Sequence, residues 1–270
     1  MIALEKQFEL IDRYGVWADD TNASVIIEKA KIVVADILKN QYSKQNKIYR
    51  LAGQSGSGKS TQLMPAVLEI LEQQNKNPII IGVRTFSTYH PNYEQIVKAY
   101  PKGEIRERTN GFALKCLCAT FSILIGMGYL IVLDLTIMDK WFEEFILQQI
   151  KQNNYKVQYH ILAVNIQISN GFIEKRRNDP NSAEFGKMVN NASIQLWYKE
   201  LNYGVKYLSI NDKENNCFIW SAFNKEPLYF GLISNCLNAL ESGQSQTGSL
   251  THSEAELLKA KIDFILKLAK

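Results

Sequence analysis

Nine consecutive residues, Gly53-Gln54-Ser55-Gly56-Ser57-Gly58-Lys59-Ser60-Thr61, combine glycines, small hydroxyl side chains and one lysine. The first eight match the spacing G-x-x-x-x-G-K-[ST], and they lie between an apolar run, "KIYRLA", and a helical pattern, "KSTQLMPAVLEILEQQ". The chemistry of such a loop is anion binding. Its glycines let successive backbone N–H groups turn inward around a phosphate, and the helix start adds partial positive charge. Lys59 then reaches the β- and γ-phosphates, and Ser60 can hold magnesium. Residues 53–61 are therefore expected to take ATP or GTP with Mg²⁺. The metal also needs an acid. Asp134, at the end of "LIVLD", has the place of one, although a strand-ending Asp also caps turns. Cations to neutralise a moving phosphoryl group are offered by Glu174-Lys175-Arg176-Arg177, which reads either as a lid over the triphosphate or as a solvated helix end.

These groups must be positioned by elements that the apolar patterning outlines. A helix is expected over about 24–45, with apolar residues at 26, 27, 30, 33, 34, 37 and 38. From "KIYRLAG" onward strands and helices alternate. Further strands are expected at "NPIIIGVR", "YLIVLD", 155–164, 205–210 and 216–221, with helices at 92–100, 109–128, 139–152, 166–178 and 187–201. Parallel strands joined by helical crossovers imply an α/β three-layer sandwich of the P-loop NTPase type, with a mostly parallel sheet and helical appendages at both ends. The organisation expected is a helical segment at 1–46, the main domain at 47–240, a flexible linker at 241–253 and an amphipathic helix at 254–270. The linker reading comes from the Gly/Ser/Gln content of "ESGQSQTGSLTHS", and the helix reading from the Ser253/Glu256 capping box.

With these pieces in order, residues 47–222 resemble the zeta toxin family, P-loop kinases of bacterial toxin-antitoxin systems related to polynucleotide kinases. "GQSGSGKS", "RTFSTYHPNYEQIVKAY" and "GMGYLIVLD" carry the resemblance. It implies an ATP-dependent kinase that phosphorylates a hydroxyl of a UDP-amino sugar such as UDP-N-acetylglucosamine. Lys59, Asp134 and Arg176 would form the catalytic set, Ser60 and Asp134 would hold the metal, and Arg84, Thr85 and His90 would lie on the substrate side. Lys187 is the nearest candidate for a second lid cation. Where the family has an Asp as general base, this chain has Arg84. An arginine stays protonated at any reachable pH and accepts no proton. A nucleotide-binding pseudokinase, or a kinase with another acceptor such as a nucleic-acid 5′-hydroxyl or a dinucleotide, is therefore the alternative. His90, before Pro91, has a second role open to it, fixing its loop through a ring N–H.

Composition bounds the partners. Thirty-one Lys plus Arg against 27 Asp plus Glu leave only +4, spread along the chain, which speaks against a long nucleic-acid footprint. The acidic N-terminus "MIALEKQFEL" lacks the apolar core of a signal peptide, and the longest apolar run is interrupted by glycines, so a cytoplasmic protein off the membrane is expected. Cys116, Cys118, Cys217 and Cys236 have the spacing of buried small hydrophobes. An antitoxin is a possible partner by the resemblance. Residues 1–46 would either act as an intramolecular inhibitor or complete the core.

Overall fold

The computed structural model describes residues 4–12, 19–138, 140–179, 191–248 and 252–268. Six strands form one sheet: β1 (Lys47–Ala52), β2 (Ile79–Gly82), β3 (Ile131–Asp134), β4 (Lys156–Ala163), β5 (Asn216–Ser221) and β6 (Tyr229–Leu232), in the spatial order β2-β3-β1-β4-β5-β6. All neighbours pair parallel except β5 and β6. The strands are apolar almost throughout because helices cover both faces. Ile48, Ile81, Leu133, Ile161 and Ile219 enter one core, whereas Tyr49, Leu51, Val132, Leu162 and Trp220 enter the other.

The larger core lies under α2 (Ala23–Ile37), α6 (Lys102–Gly126), α7 (Lys140–Gln152) and α9 (Asn191–Asn211). Within α6, residues Glu107–Gly126 are long and apolar enough to cross a membrane, yet 78% of that window is buried inside the fold. Its thiols at Cys116 and Cys118 are free and buried, and burial pushes the Cys116 thiol up to about 12. α1 (Leu4–Asp12) contributes Phe8 and Ile11, and α2 contributes Ile26, Ala30 and Val33, to the same core. Residues 4–12 and 19–46 thus complete the core.

Three sequence expectations are corrected. Residues 205–210 are helical, part of α9, with Val205 and Leu208 buried at one-turn spacing. Their β-branched and aromatic content favours a strand locally, and one-sided burial overrides it. The second strand ends at Gly82, and Val83–Phe86 form a short helix α4. The linker expected from 241 begins later, because α10 (Leu237–Ser245) continues to Ser245. Gly243 there lies so close to Ala163 that an added Cβ would stand 2.6 Å from the alanine methyl carbon, and small residues that suit a linker also suit this packing.

The smaller core is closed by α3 (Met64–Gln73), which follows a wide helical turn at Lys59–Leu63, and by α11 (Glu254–Leu268). Leu257 and Ile265 of α11 are buried, and Phe264 stands edge-on to Trp220 at 6.0 Å between centroids. Lys261 is fully buried in this interface. Its Nζ lies 5.5 Å from the Trp220 ring centroid and has no hydrogen-bond partner among the described residues. Burial pulls its pKa from 10.5 to about 8. The unfolded chain therefore holds a proton that the folded chain releases between about 8 and 10.5, so this group's contribution to stability rises with pH through that window. Below about 8 it is a constant penalty. Lys261→Met is expected to raise stability at pH 7 by about 1–3 kcal/mol, with the gain fading by pH 10.5. Thermal melts at the two pH values check it, and an equal gain at both would contradict it.

Candidate active site

The loop after β1 has the backbone that the motif demands. Gly56 and Gly58 sit at φ +79° and +98°, a region that L side chains rarely adopt. A Cβ on Gly56 would also stand 2.4 Å from the Ser169 carbonyl oxygen on α8 (Ile166–Asn178), so the loop and the helix above it are in backbone contact. Gln54, fully buried, fixes that contact by donating from Nε2 to Val164 O and, at 3.0 Å, to Ser169 Oγ. The Ser57 hydroxyl is buried without a hydrogen-bond partner among the described residues. Glycine-only torsions and an orphaned hydroxyl fit a loop shaped around an anion. Lys59 Nζ donates to Gly53 O at 3.0 Å, as does Thr136 Oγ1, so the lysine lies across the mouth of the loop.

Sheet order brings the acid to the loop. β3 lies between β1 and β2, with Asp134 in register with Leu51 on one side and Gly82 on the other. The carboxyl ends of these strands open into a cavity of about 630 Å³. Gln54 to Thr61 line one part, Arg84 and Thr85 another, with Asp134 between the two groups in the lining. Of the basic run on α8, Lys175 and Arg176 line the cavity and Arg177 does not, and Arg176 is the half-buried member. Gly53 itself lies behind the lining and presents its carbonyl to Lys59.

His90 is not part of this cavity. It is buried against Phe112, edge-on at 5.0 Å. Its Nδ1 accepts from Asn92 N at 3.0 Å, which leaves Nε2 to donate to Asp19 Oδ2 at 3.2 Å. Burial pushes the Asp19 carboxyl up, but the hydrogen bonds from His90 and Thr21 outweigh this and leave it below its ordinary value. The ring pins the segment before α2 to its own loop, and the substrate-side expectation for His90 is corrected accordingly. Lys187 lies outside the described residues. No described residue among 1–46 lines the cavity, so core completion is the role that the structure supports for that segment.

Several lining residues had no local signal. Asn110, Asp179 and Trp197 come from α6, the end of α8 and α9, and His252, Ser253 and Glu254 come from the start of α11. Four cations, Lys59, Arg84, Lys175 and Arg176, share the lining with the carboxylates Asp134, Asp179 and Glu254. Such a wall favours a polyanion with a cation beside it. Among the described residues no cluster of three His, Cys, Asp or Glu could hold a metal by itself. That fits a magnesium ion held by one hydroxyl, one carboxylate and the ligand's phosphates.

The wall between cavity and sheet rests on a buried ion pair. Arg50 on β1 reaches Glu143 on α7 with both side chains fully buried, Nη2 to Oε1 at 2.7 Å. Glu143 Oε1 also accepts from Met138 N at 2.8 Å, tethering the strap 135–138 that carries Leu135, Thr136 and Met138 into the lining. From the other side α9 presses on the strap through Gly204, where an added Cβ would stand 1.7 Å from Met138 O.

A central parallel sheet, a glycine-rich loop between its middle strand and the next helix, and an acid on the adjacent strand define a P-loop protein of the α/β class. A family model described as zeta toxin matches residues 33–215, more than half of the chain, and the chain belongs to that family. Curated relatives include Toxin zeta of Streptococcus pyogenes and of Enterococcus hirae. Each is 36% identical over 86 residues, which is 32% of this chain and 28% of the relative. The alignment therefore spans under a third of the length of these relatives. Among solved structures, a chain from the PezAT chromosomal toxin-antitoxin system of Streptococcus pneumoniae superposes with a TM-score of 0.60 at 21% identity, covering 92% of this chain and 98% of that one. The AvrRxo1-ORF1:-ORF2 complex with ATP superposes at 0.51 and 12% identity, covering 97% and 85%. At such identities these likenesses establish the fold.

Proposed function

We propose that this protein is an ATP- or GTP-dependent kinase acting in the cytoplasm, transferring the γ-phosphoryl group to a hydroxyl of a UDP-amino sugar such as UDP-N-acetylglucosamine. The observation that carries this reading is one continuous cavity lined by the phosphate loop, by Asp134 and by Arg84 with Thr85. The loop amides and Lys59 would hold the phosphates, and Ser60 and Asp134 would hold Mg²⁺, which would supply positive charge against the phosphates. The acceptor hydroxyl oxygen bonds to the γ-phosphorus, the bridging oxygen leaves with the nucleoside diphosphate, and the hydroxyl proton passes to a carboxylate. Asp134 would take that last step by turning from the metal toward the acceptor. An added Cβ at Gly82, the first residue of the acceptor wall, would stand 3.7 Å from its Oδ2. Because the transition state is loose, positioning and charge supply most of the acceleration, and Arg176 adds to both.

Arg84 then has a task of its own, binding the acceptor's diphosphate. Arg84→Ala is expected to raise KM for the UDP-sugar about 10–100-fold with little change in kcat, the size of one lost charge-assisted hydrogen bond or two. Incubation with labelled ATP, Mg²⁺ and UDP-N-acetylglucosamine tests the whole reading, and a labelled sugar nucleotide is expected. Nucleotide binding without any labelled product would favour the second reading, a pseudokinase, which the arginine in place of the family's acid supports. The family's toxin-antitoxin setting supports a further element, restraint by a separate antitoxin chain.

A further inference from the structure

Beyond the phosphate loop, the cavity is walled by the far end of the chain. His252, Ser253 and Glu254 share the lining with Thr61 and Gln62. This wall is held in place from both directions. A reciprocal capping box starts α11, with Ser253 N donating to Glu256 Oε2 at 2.9 Å and Glu256 N to Ser253 Oγ at 3.3 Å. The helix body is fastened to the smaller core by Ile262, Phe264 and Ile265. Upstream, a hydrogen bond between Ser221 and Gln246 ties the connecting segment to the end of β5. The described residues on either side, Gln246 and His252 to Glu254, thus lie outside the carboxyl ends of the strands, where ligands of open α/β sheets bind.

Gln62 points independently to a ligand here. It is 3% exposed and lines the cavity, and its Oε1 has no hydrogen-bond partner among the described residues. Leaving a buried amide oxygen unpaired costs about 1–3 kcal/mol, a cost that a bound polar group removes. Gln62 directly follows Thr61, the last residue of the phosphate loop, within the wide helical turn Lys59–Leu63. What it reaches is therefore the part of a ligand attached to the phosphates.

We propose that Gln62 and Glu254 form a ribose subsite, in which the C-terminal helix supplies one wall and the sugar hydroxyls of a nucleoside triphosphate are recognised. A ribose hydroxyl donates to the Glu254 carboxylate, which only accepts. A hydroxyl also donates to or accepts from the Gln62 amide in either amide orientation. The base then extends toward the adjoining open hollow, which shares His252 and is lined by Phe223 and Lys225. This inference rests on the reading of the loop as a triphosphate site. It goes further in assigning Gln62 and Glu254 to the sugar of that nucleotide and in making the last helix part of its site.

Calorimetry on the full chain with Mg²⁺ tests it, using ATP, 2′,3′-dideoxy-ATP and inorganic tripolyphosphate. ATP is expected to bind about tenfold or more tightly than either of the other two. Glu254→Ala, at an exposed position, and Gln62→Met are each expected to weaken ATP about 5–10-fold while leaving tripolyphosphate unchanged, which also reports that the loop is intact. Dideoxy-ATP or tripolyphosphate binding as tightly as ATP would overturn the ribose subsite and leave the triphosphate reading standing. Equal weakening of ATP and tripolyphosphate by Glu254→Ala would overturn it too. No binding of ATP or tripolyphosphate would overturn both.

Discussion

Lys59→Ala is expected to lower the turnover of labelled ATP by about 10²–10³-fold and to weaken nucleotide binding about 10–100-fold. The lysine is the one cation built into the phosphate loop, half-buried, with its Nζ held at the loop mouth by Gly53 O at 3.0 Å. Replacing that self-contact with a γ-phosphate oxygen moves the ammonium only across the mouth, so the charge is largely in place before the ligand arrives. Lys175 and Arg176 line the same cavity from α8. They lie outside the loop and cannot substitute for a donor fixed beside the helix start. Single-turnover kinetics and calorimetry check both magnitudes. A variant that binds and turns over nucleotide like the parent would remove the phosphate cradle from the mechanism, and with it the kinase reading.

Glu143→Ala is expected to destabilise the fold by about 3–5 kcal/mol, since it leaves the Arg50 guanidinium charged and buried without its partner. Against a total stability of about 5–15 kcal/mol this is a large fraction, and the melting temperature should fall by roughly 10 °C. The cause is desolvation. The pair lies entirely out of water, and Arg50 is always ionised. Replacing both members, as in Arg50→Met with Glu143→Leu, is expected to recover most of the lost stability, because two apolar side chains need no solvation there. Activity should recover less. The Met138 N–H would still lack its acceptor at 2.8 Å, and the strap that lines the cavity would lose that tether while keeping its Thr136 hydrogen bond to Gly53 O and its packing on α9. Thermal melts and turnover measured on the single and double variants separate the two effects. Equal recovery of stability and activity would show that the tether does not matter to the site.

The parts of this protein that were readable in the chain are those whose physics is local. The capping box at Ser253 and Glu256 was readable for the same reason as the phosphate loop, since residues three apart satisfy each other's backbone groups. Asp134 was readable only in part. Its strand was evident from four apolar residues before an acid, but its contact with the loop depends on β3 inserting between β1 and β2, a choice made by sheet assembly. Residues 205–210 show the opposite case. Their side chains suit a strand, and the buried face of a long helix decided otherwise. His90 beside its proline is open to a site role or a loop-fixing one in the sequence, and Asp19 and Phe112, both distant in the chain, decide for the second by holding its ring.

The chain alone determined the phosphate cradle, because nine neighbouring residues carry its glycine torsions, its amides and its ammonium. Only the tertiary structure decided what faces that cradle. Arg84, Asp134, Arg176 and Glu254 lie on four separate elements and meet at one cavity through the burial of two apolar cores. Burial free energy is non-directional and summed over the whole fold, so no local pattern at any of these positions could announce the meeting.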